Sequence, residues 1–206
     1  MIALTLVLSA PSSLTQQKKK QTPSREPQLV RTIVKHEMLR FGYGGTVTLV
    51  GAPDGSISIE GWPRNEVSIS ADIQLRADTE AELAQLATVN SFVLDDDPNH
   101  IRILTVGTHD KAFMRANAKK FPKALLGLPW KIAYKIRVPM STDLDINAGR
   151  GPITLSGVEG DIRLSAAESE TKLSLSGGVV AATVAKGSLS LNVAEKSWRR
   201  GGADLR

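Results

Sequence analysis

The chain reads as mainly β: a β-solenoid-like, stacked β-repeat domain with one or two helical inserts. Three observations predict this. First, a glycine-punctuated pattern recurs. Gly151-Pro152-Ile153-Thr154-Leu155-Ser156-Gly157 is followed by Ile162 and Leu164. Twenty residues on, Leu173, Leu175 and Gly177 stand where Ile153, Leu155 and Gly157 stood, and Ala182 and Val184 replace Ile162 and Leu164. The spacing also occurs early, as Gly55, Ile57, Ile59 and Gly61, then Val67 and Ile69 with one extra residue in the turn. One such unit cannot bury its apolar face alone, whereas stacked units can. Second, apolar residues alternate at period two over long stretches, the pattern of half-buried strands. Third, 41% of the 206 residues are hydrophobic but only 4% are aromatic. The core must therefore be Val, Ile, Leu and Ala, which suits narrow layers of aliphatic side chains in register.

At the N-terminus, residues 2–10 are apolar and end in small residues, Ser9 and Ala10. The run is too short to span a bilayer. It has the form of the h-region and cleavage site of a secretory signal, although Met1 leads straight into Ile2 with no basic n-region. Residues 1–10 are thus read as a signal-peptide remnant, the alternative being a disordered terminus or a stray strand. Residues 11–28, with Lys18, Lys19, Lys20 and three prolines, read as a disordered basic linker.

Residues 29–193 read as one β-repeat domain. Leu29 to Val34 is apolar and β-branched, and Thr46 to Val50 alternates. Pro53-Asp54-Gly55 signals a turn, because Pro fixes φ and Gly supplies a positive φ. Ile57, Ile59, Val67, Ile69, Ala71 and Ile73 continue at period two. The period changes at Asp78-Thr79-Glu80. Asp78 or Thr79 can cap a helix, Glu80 and Glu82 favour its first turn, and Leu83, Leu86 and Ala87 share a face. The spacing predicts a helix over 79–90. Strands return at Phe92 to Leu94 and Ile101 to Val106, joined by the turn Asp95-Asp96-Asp97-Pro98-Asn99. Trp130 to Val138 alternates again, and the repeat region runs from Leu144 to Val193. Residues 194–206 show no periodicity and read as a tail.

No cysteine is present, which excludes disulfides, thiolate metal sites and cysteine nucleophiles. His36, His100 and His109 have no metal-ligand spacing and read as surface or loop residues. Asp95 to Asp97 lacks the glycine and distal glutamate of a calcium loop. Asp143 and Asp145 flank Leu144 on a solvated face. No phosphate loop or nucleophile elbow occurs. No catalytic, cofactor or metal residues are assigned.

Charge is the strongest remaining signal. Between Lys111 and Arg137 there are eight basic residues and no acidic one. Within residues 111–128, Met114, Ala118, Phe121, Leu125 and Leu128 recur at helical spacings, while Pro122 and Pro129 limit helix length. This basic amphipathic insert is expected to be partly helical and to cover an end of the sheet, with its cations facing water. Lys111, Arg115, Lys119, Lys120 and Lys123 are the candidate binding residues, for anionic lipid or polysaccharide.

Several of these residues carry a resemblance. Gly55 to Gly61 with Trp62, the strand ending Arg137-Val138-Pro139, Leu144-Asp145-Ile146, and Gly151 to Gly157 with Gly160-Asp161-Ile162 together resemble the bacterial putative-adhesin domain family of unknown function. The likeness covers most of residues 29–193 and omits the insert around 110–128. It implies a right-handed β-solenoid-like stack, exported behind a signal or anchor, with no known catalytic residues and no substrate.

The function expected is that of a non-enzymatic, extracytoplasmic binding or structural module of the cell envelope. It has no cofactor, and its partner is an envelope or surface component. Nucleic acid is disfavoured by the export signal and by the lack of a binding module. Two rivals remain. An envelope carbohydrate-active enzyme would need carboxylates such as Glu159, Asp161, Glu168 and Glu170 clustered on one face. An extracytoplasmic sensor domain would need an anchor upstream of Met1.

Overall fold

The computed structural model describes residues 29–193 and 201–206. The signal remnant and linker expected over 1–28, and most of the expected tail, lie outside the described residues. In chain order the elements are β1 (Leu29–Arg40), β2 (Thr46–Asp54), β3 (Ile57–Trp62), β4 (Glu66–Ala77), α1 (Glu80–Val89), β5 (Ser91–Asp97) and β6 (His100–Val106). Then come α2 (Lys111–Asn117), a 3-10 turn (Lys123–Leu125), β7 (Trp130–Pro139), β8 (Asp143–Arg150), β9 (Ile153–Ser156), β10 (Ile162–Leu175), β11 (Gly178–Val193) and β12 (Gly201–Leu205). The fold is mainly β, as its alternating sequence predicts. All twelve strands belong to one sheet, curled into an open half-barrel.

The sheet curls because its longest strands serve both halves. The first half of β10 pairs with β8, and its second half pairs with β9. One half then continues β8-β2-β6-β5, and the other β9-β3-β7-β4-β1. The two halves meet through Tyr134 of β7. Its hydroxyl lies 2.9 Å from that of Thr105 on β6, and its ring meets Phe92 of β5 edge-on at 5.9 Å. The intervening core is aliphatic, with Leu49, Ile59, Ile69, Ile73, Ile103, Ile136 and Leu155 all at 1% exposure or less.

Stacked repeats describe part of this architecture. Parallel pairing runs through β6-β2-β8-β10-β11-β12 and β7-β3-β9-β10-β11. The pairs β1-β4, β4-β7 and β5-β6 are antiparallel. Val67 and Ile69, expected to close the first repeat, instead lie on antiparallel β4. The alignment of Gly55, Ile57 and Ile59 with Gly151, Ile153 and Leu155 does match the structure, where Ile57 faces Ile153 and Ile59 faces Leu155.

The later alignment needs correction. Leu144, Ile162 and Val180 are neighbours, as are Ile153, Thr171 and Leu189, so layers recur every 18 residues and not every 20. Leu155 therefore lies beside Leu173, and Leu164 beside Ala182. A two-residue slip leaves every side chain on its original face, so alternation alone fits either offset. What fixes the offset is the corners. Gly151, Ser169 and Gly187 stack at the bend between the halves of successive layers, with Gly55 beyond them. A Cβ on Gly151 would stand 2.0 Å from the Gly55 carbonyl oxygen, and φ there is +131°. Ser169 occupies the same corner without a positive φ. It is buried, and its hydroxyl lies 2.9 Å from that of Thr171. At the opposite corner, the Asp161 N–H donates to Asp143 Oδ1 at 2.8 Å, and the Val179 N–H donates to Asp161 Oδ1 at 3.0 Å. Asp143 is thus a rung of a cross-layer ladder, beyond merely flanking Leu144.

The expected tail is also corrected. Gly201–Leu205 forms β12, paired in parallel with Gly178 to Ala182 of β11. Its own sequence has no alternation to announce it, so the template supplied by β11 decides the conformation. The helix expected over 79–90 is present as α1. Thr79 is its N-cap, with a reciprocal capping box to Glu82. Leu83 and Leu86 are buried, and α1 packs on β4 and β1.

Candidate cationic site on the insert between β6 and β7

The insert starts where β6 ends. Asp110 caps α2, its carboxylate accepting from the N–H groups of Ala112 and Phe113 at 2.9 and 3.0 Å. With only seven residues, α2 is held mainly by what it buries. Met114 is buried, and beyond the helix Leu125 joins the core, with Phe121 and Leu128 packed against it. The exit is tied down as well, since the Arg76 N–H on β4 donates to the Pro129 carbonyl at 3.2 Å. The apolar positions do not form one continuous helix. The helix stops at Ala118, and Pro122 precedes the 3-10 turn.

All five candidate cations are exposed. Lys111 and Arg115 lie one turn apart on α2, four residues being the spacing of neighbours on a helix face. Lys119 and Lys120 follow the helix and line a groove of about 590 Å³ with Thr88, Val89, Ala118 and Phe121. Lys123 opens the 3-10 turn. None of the five forms an ion pair among the described residues. The pairs present there involve Arg31, Arg102, Lys135, Arg137, Arg150, Lys172, Lys186 and Arg206. One role inside the fold is open to Lys119 and Lys120. The last turn of α1 carries no basic residue, and the groove they line includes Thr88 and Val89 of that turn, where free carbonyls favour positive charge.

The periodicity that assigns Leu125 and Leu128 to the buried side is silent on Leu126, which is 41% exposed. Its backbone N–H donates to the Lys123 carbonyl at 3.3 Å, which fixes it on the turn. Only the fold shows that Leu126 faces water.

The other candidate groups are each engaged singly. Glu168 pairs with Lys186 at 3.0 Å, and Glu170 with Lys172 at 2.8 Å. Asp161 belongs to the corner ladder. Asp95 faces Arg102 at 3.7 Å, and Asp97 accepts the Asn99 N–H at 2.9 Å. His100 Nε2 lies 3.0 Å from the Thr48 hydroxyl. His109 is tilted against Trp130 at 5.3 Å, and its partial burial lowers its pKa, opposed by Asp110. No group of three or more His, Asp or Glu suited to a metal occurs among the described residues. A second feature escaped the sequence pattern. The guanidinium groups of Arg64 and Arg137 lie 5.1 and 5.8 Å from the Trp62 ring centre. A cleft of about 960 Å³ near that end carries both signs of charge, from Arg40 and Arg64 and from Glu66, Asp96 and Asp97.

No family model matches the chain, and no curated protein sequence does. Among solved structures it is similar to a putative cell adhesion protein from Clostridium sporogenes, with a TM-score of 0.46 and 11% identity over 85% of this chain and 99% of that one. It is also similar to a putative adhesin from Bacteroides fragilis, with a TM-score of 0.28 and 11% identity over 88% of this chain and 100% of that one. No helix among the described residues is long and apolar enough to cross a membrane.

Proposed function

We propose that this chain is a non-enzymatic, exported binding module of the bacterial envelope, and that the insert between β6 and β7 is its contact with an anionic surface component. One observation carries the reading: five exposed cations, without ion-pair partners among the described residues, sit on a segment anchored by Met114 and Leu125. Opposite charges already paired within a fold have little left to offer a partner, whereas these five retain theirs. In this reading the parallel layers of β8, β10, β11 and β12 act as a solenoid-like support, and the apolar run at residues 2–10 directs export. The adhesin resemblance of the sequence agrees with such a role.

Retention on immobilised dextran sulfate tests the binding. The protein should be held at low salt and released as salt rises, because exposed charges are screened over about 10 Å at 0.1 M. The triple change Lys119→Glu, Lys120→Glu, Lys123→Glu should abolish retention with little change in melting temperature. Passage of the unaltered protein through the column at low salt would end this reading. A triple variant that unfolds would show that these lysines pack.

A further inference from the structure

We infer that the insert docks on the interface of a lipid bilayer rich in anionic headgroups, with Leu126 entering the apolar boundary and the five cations meeting the headgroups. The inference rests on the anionic-partner reading above and chooses the partner's chemistry within it. Lone apolar side chains on a surface are ordinary and need no explanation. The setting of Leu126 is different. It stands three residues after Lys123, on a hydrogen-bonded turn whose other leucine, Leu125, is buried in the core. The same insert carries the exposed Lys111, Arg115, Lys119, Lys120 and Lys123, and from Lys111 to Arg137 the sequence has no carboxylate to repel an anionic surface. A soluble polyanion satisfies the cations and leaves Leu126 in water. A bilayer interface satisfies both, which is the logic of interfacial amphipathic segments. The turn also needs no refolding to dock, since Met114, Phe121, Leu125 and Leu128 already hold its inner side.

Co-sedimentation with vesicles, run beside dextran sulfate retention, separates the two levels of claim. The full chain should pellet with vesicles containing about 30% anionic lipid at low salt and stay in solution with purely zwitterionic ones. Reversing Lys119, Lys120 and Lys123 to Glu should weaken vesicle partition by at least about 100-fold, because losing each basic residue near an anionic surface costs about fivefold and each new carboxylate adds repulsion. Leu126→Ser should weaken vesicle partition about tenfold while leaving dextran sulfate retention unchanged. The exposed position of Leu126 makes unfolding an unexpected outcome for that variant, and a thermal melt checks it. If the Glu triple misfolds, Lys119→Gln with Lys123→Gln gives the same comparison. Vesicle binding by Leu126→Ser equal to that of the unaltered protein would overturn the bilayer inference. So would retention on dextran sulfate with no vesicle binding, although the anionic-partner reading would then survive. Failure to bind either probe would overturn both.

Discussion

Tyr134 shows what a single residue contributes to closing the sheet. It is fully buried between the halves, where desolvation raises its pKa above the ordinary value of 10.0, only partly offset by the hydrogen bond to Thr105. The folded state therefore holds the phenolic proton more tightly than the unfolded chain does. That contribution is fully present below about pH 10 and is lost as pH rises through the higher folded value. In a Tyr43→Phe variant, which leaves Tyr134 as the one tyrosine, tyrosinate absorbance should appear only together with alkaline unfolding seen by circular dichroism. Ionisation of Tyr134 in a still-folded protein would contradict the burial described. Gly151 makes a second residue-scale prediction. Alanine there would hold a positive φ and press its Cβ onto the Gly55 carbonyl, so Gly151→Ala should cost about 3 kcal/mol or more in a denaturant titration. Gly127, where a Cβ meets nothing within 4 Å, should accept alanine with a change below about 1 kcal/mol.

At the scale of the element, β9 offers a direct test of which face of the sheet is buried. Leu155 is buried between Ile59 and Leu173, while Thr154 is exposed. Leu155→Asp places an unpaired charge in the stack and should unfold the protein or lower its melting temperature severely, whereas Thr154→Asp should be mild. Equal effects would refute this assignment of faces. Much at this scale was legible in advance. A cap at Asp78 or Thr79 and the acidic first turn of Glu80 and Glu82 announce α1, and the glycines at 55 and 151 align β3 with β9 correctly. The offset of later layers was not legible from alternation, because Leu173 and Leu175 are equivalent under a two-residue slip. Better signals were present in Gly160 and Gly178, in Asp143 and Asp161, and in the opposite charges of Glu168 and Lys186, all 18 residues apart. The strand β12 left no signal of its own, since its pairing is templated by β11. Within the cationic site, the exposed lysines were readable from the charge run. Leu126 was not, because the spacing that places Leu125 inward leaves the exposure of its neighbour to how the turn seats on the core.

At the scale of the whole molecule, the layers formed by β8 with β9, by β10 and by β11 keep one 18-residue step and are joined by two corners, one of stacked glycines and Ser169, the other of Asp143 and Asp161. Opposite charges meet across layers beside the first corner, where Asp54 faces Arg150 at 3.9 Å and Glu168 faces Lys186 at 3.0 Å. These exposed pairs contribute little stability, about 0–1 kcal/mol each, but like charges at the same rung would oppose the register. Because 18 is even and spans both corners, the chain can grow in whole steps. Tandem duplication of residues 162–179 would add one layer, lengthening the stack by about 4.8 Å with every corner, ladder and apolar row in phase. A duplication of 17 or 19 residues would turn the apolar row outward for the rest of the chain. The first variant should melt cooperatively near the parent temperature and the second should not fold. Such a body can be remodelled by gene duplication without redesign, so its length becomes a heritable dimension that varies independently of the insert it carries.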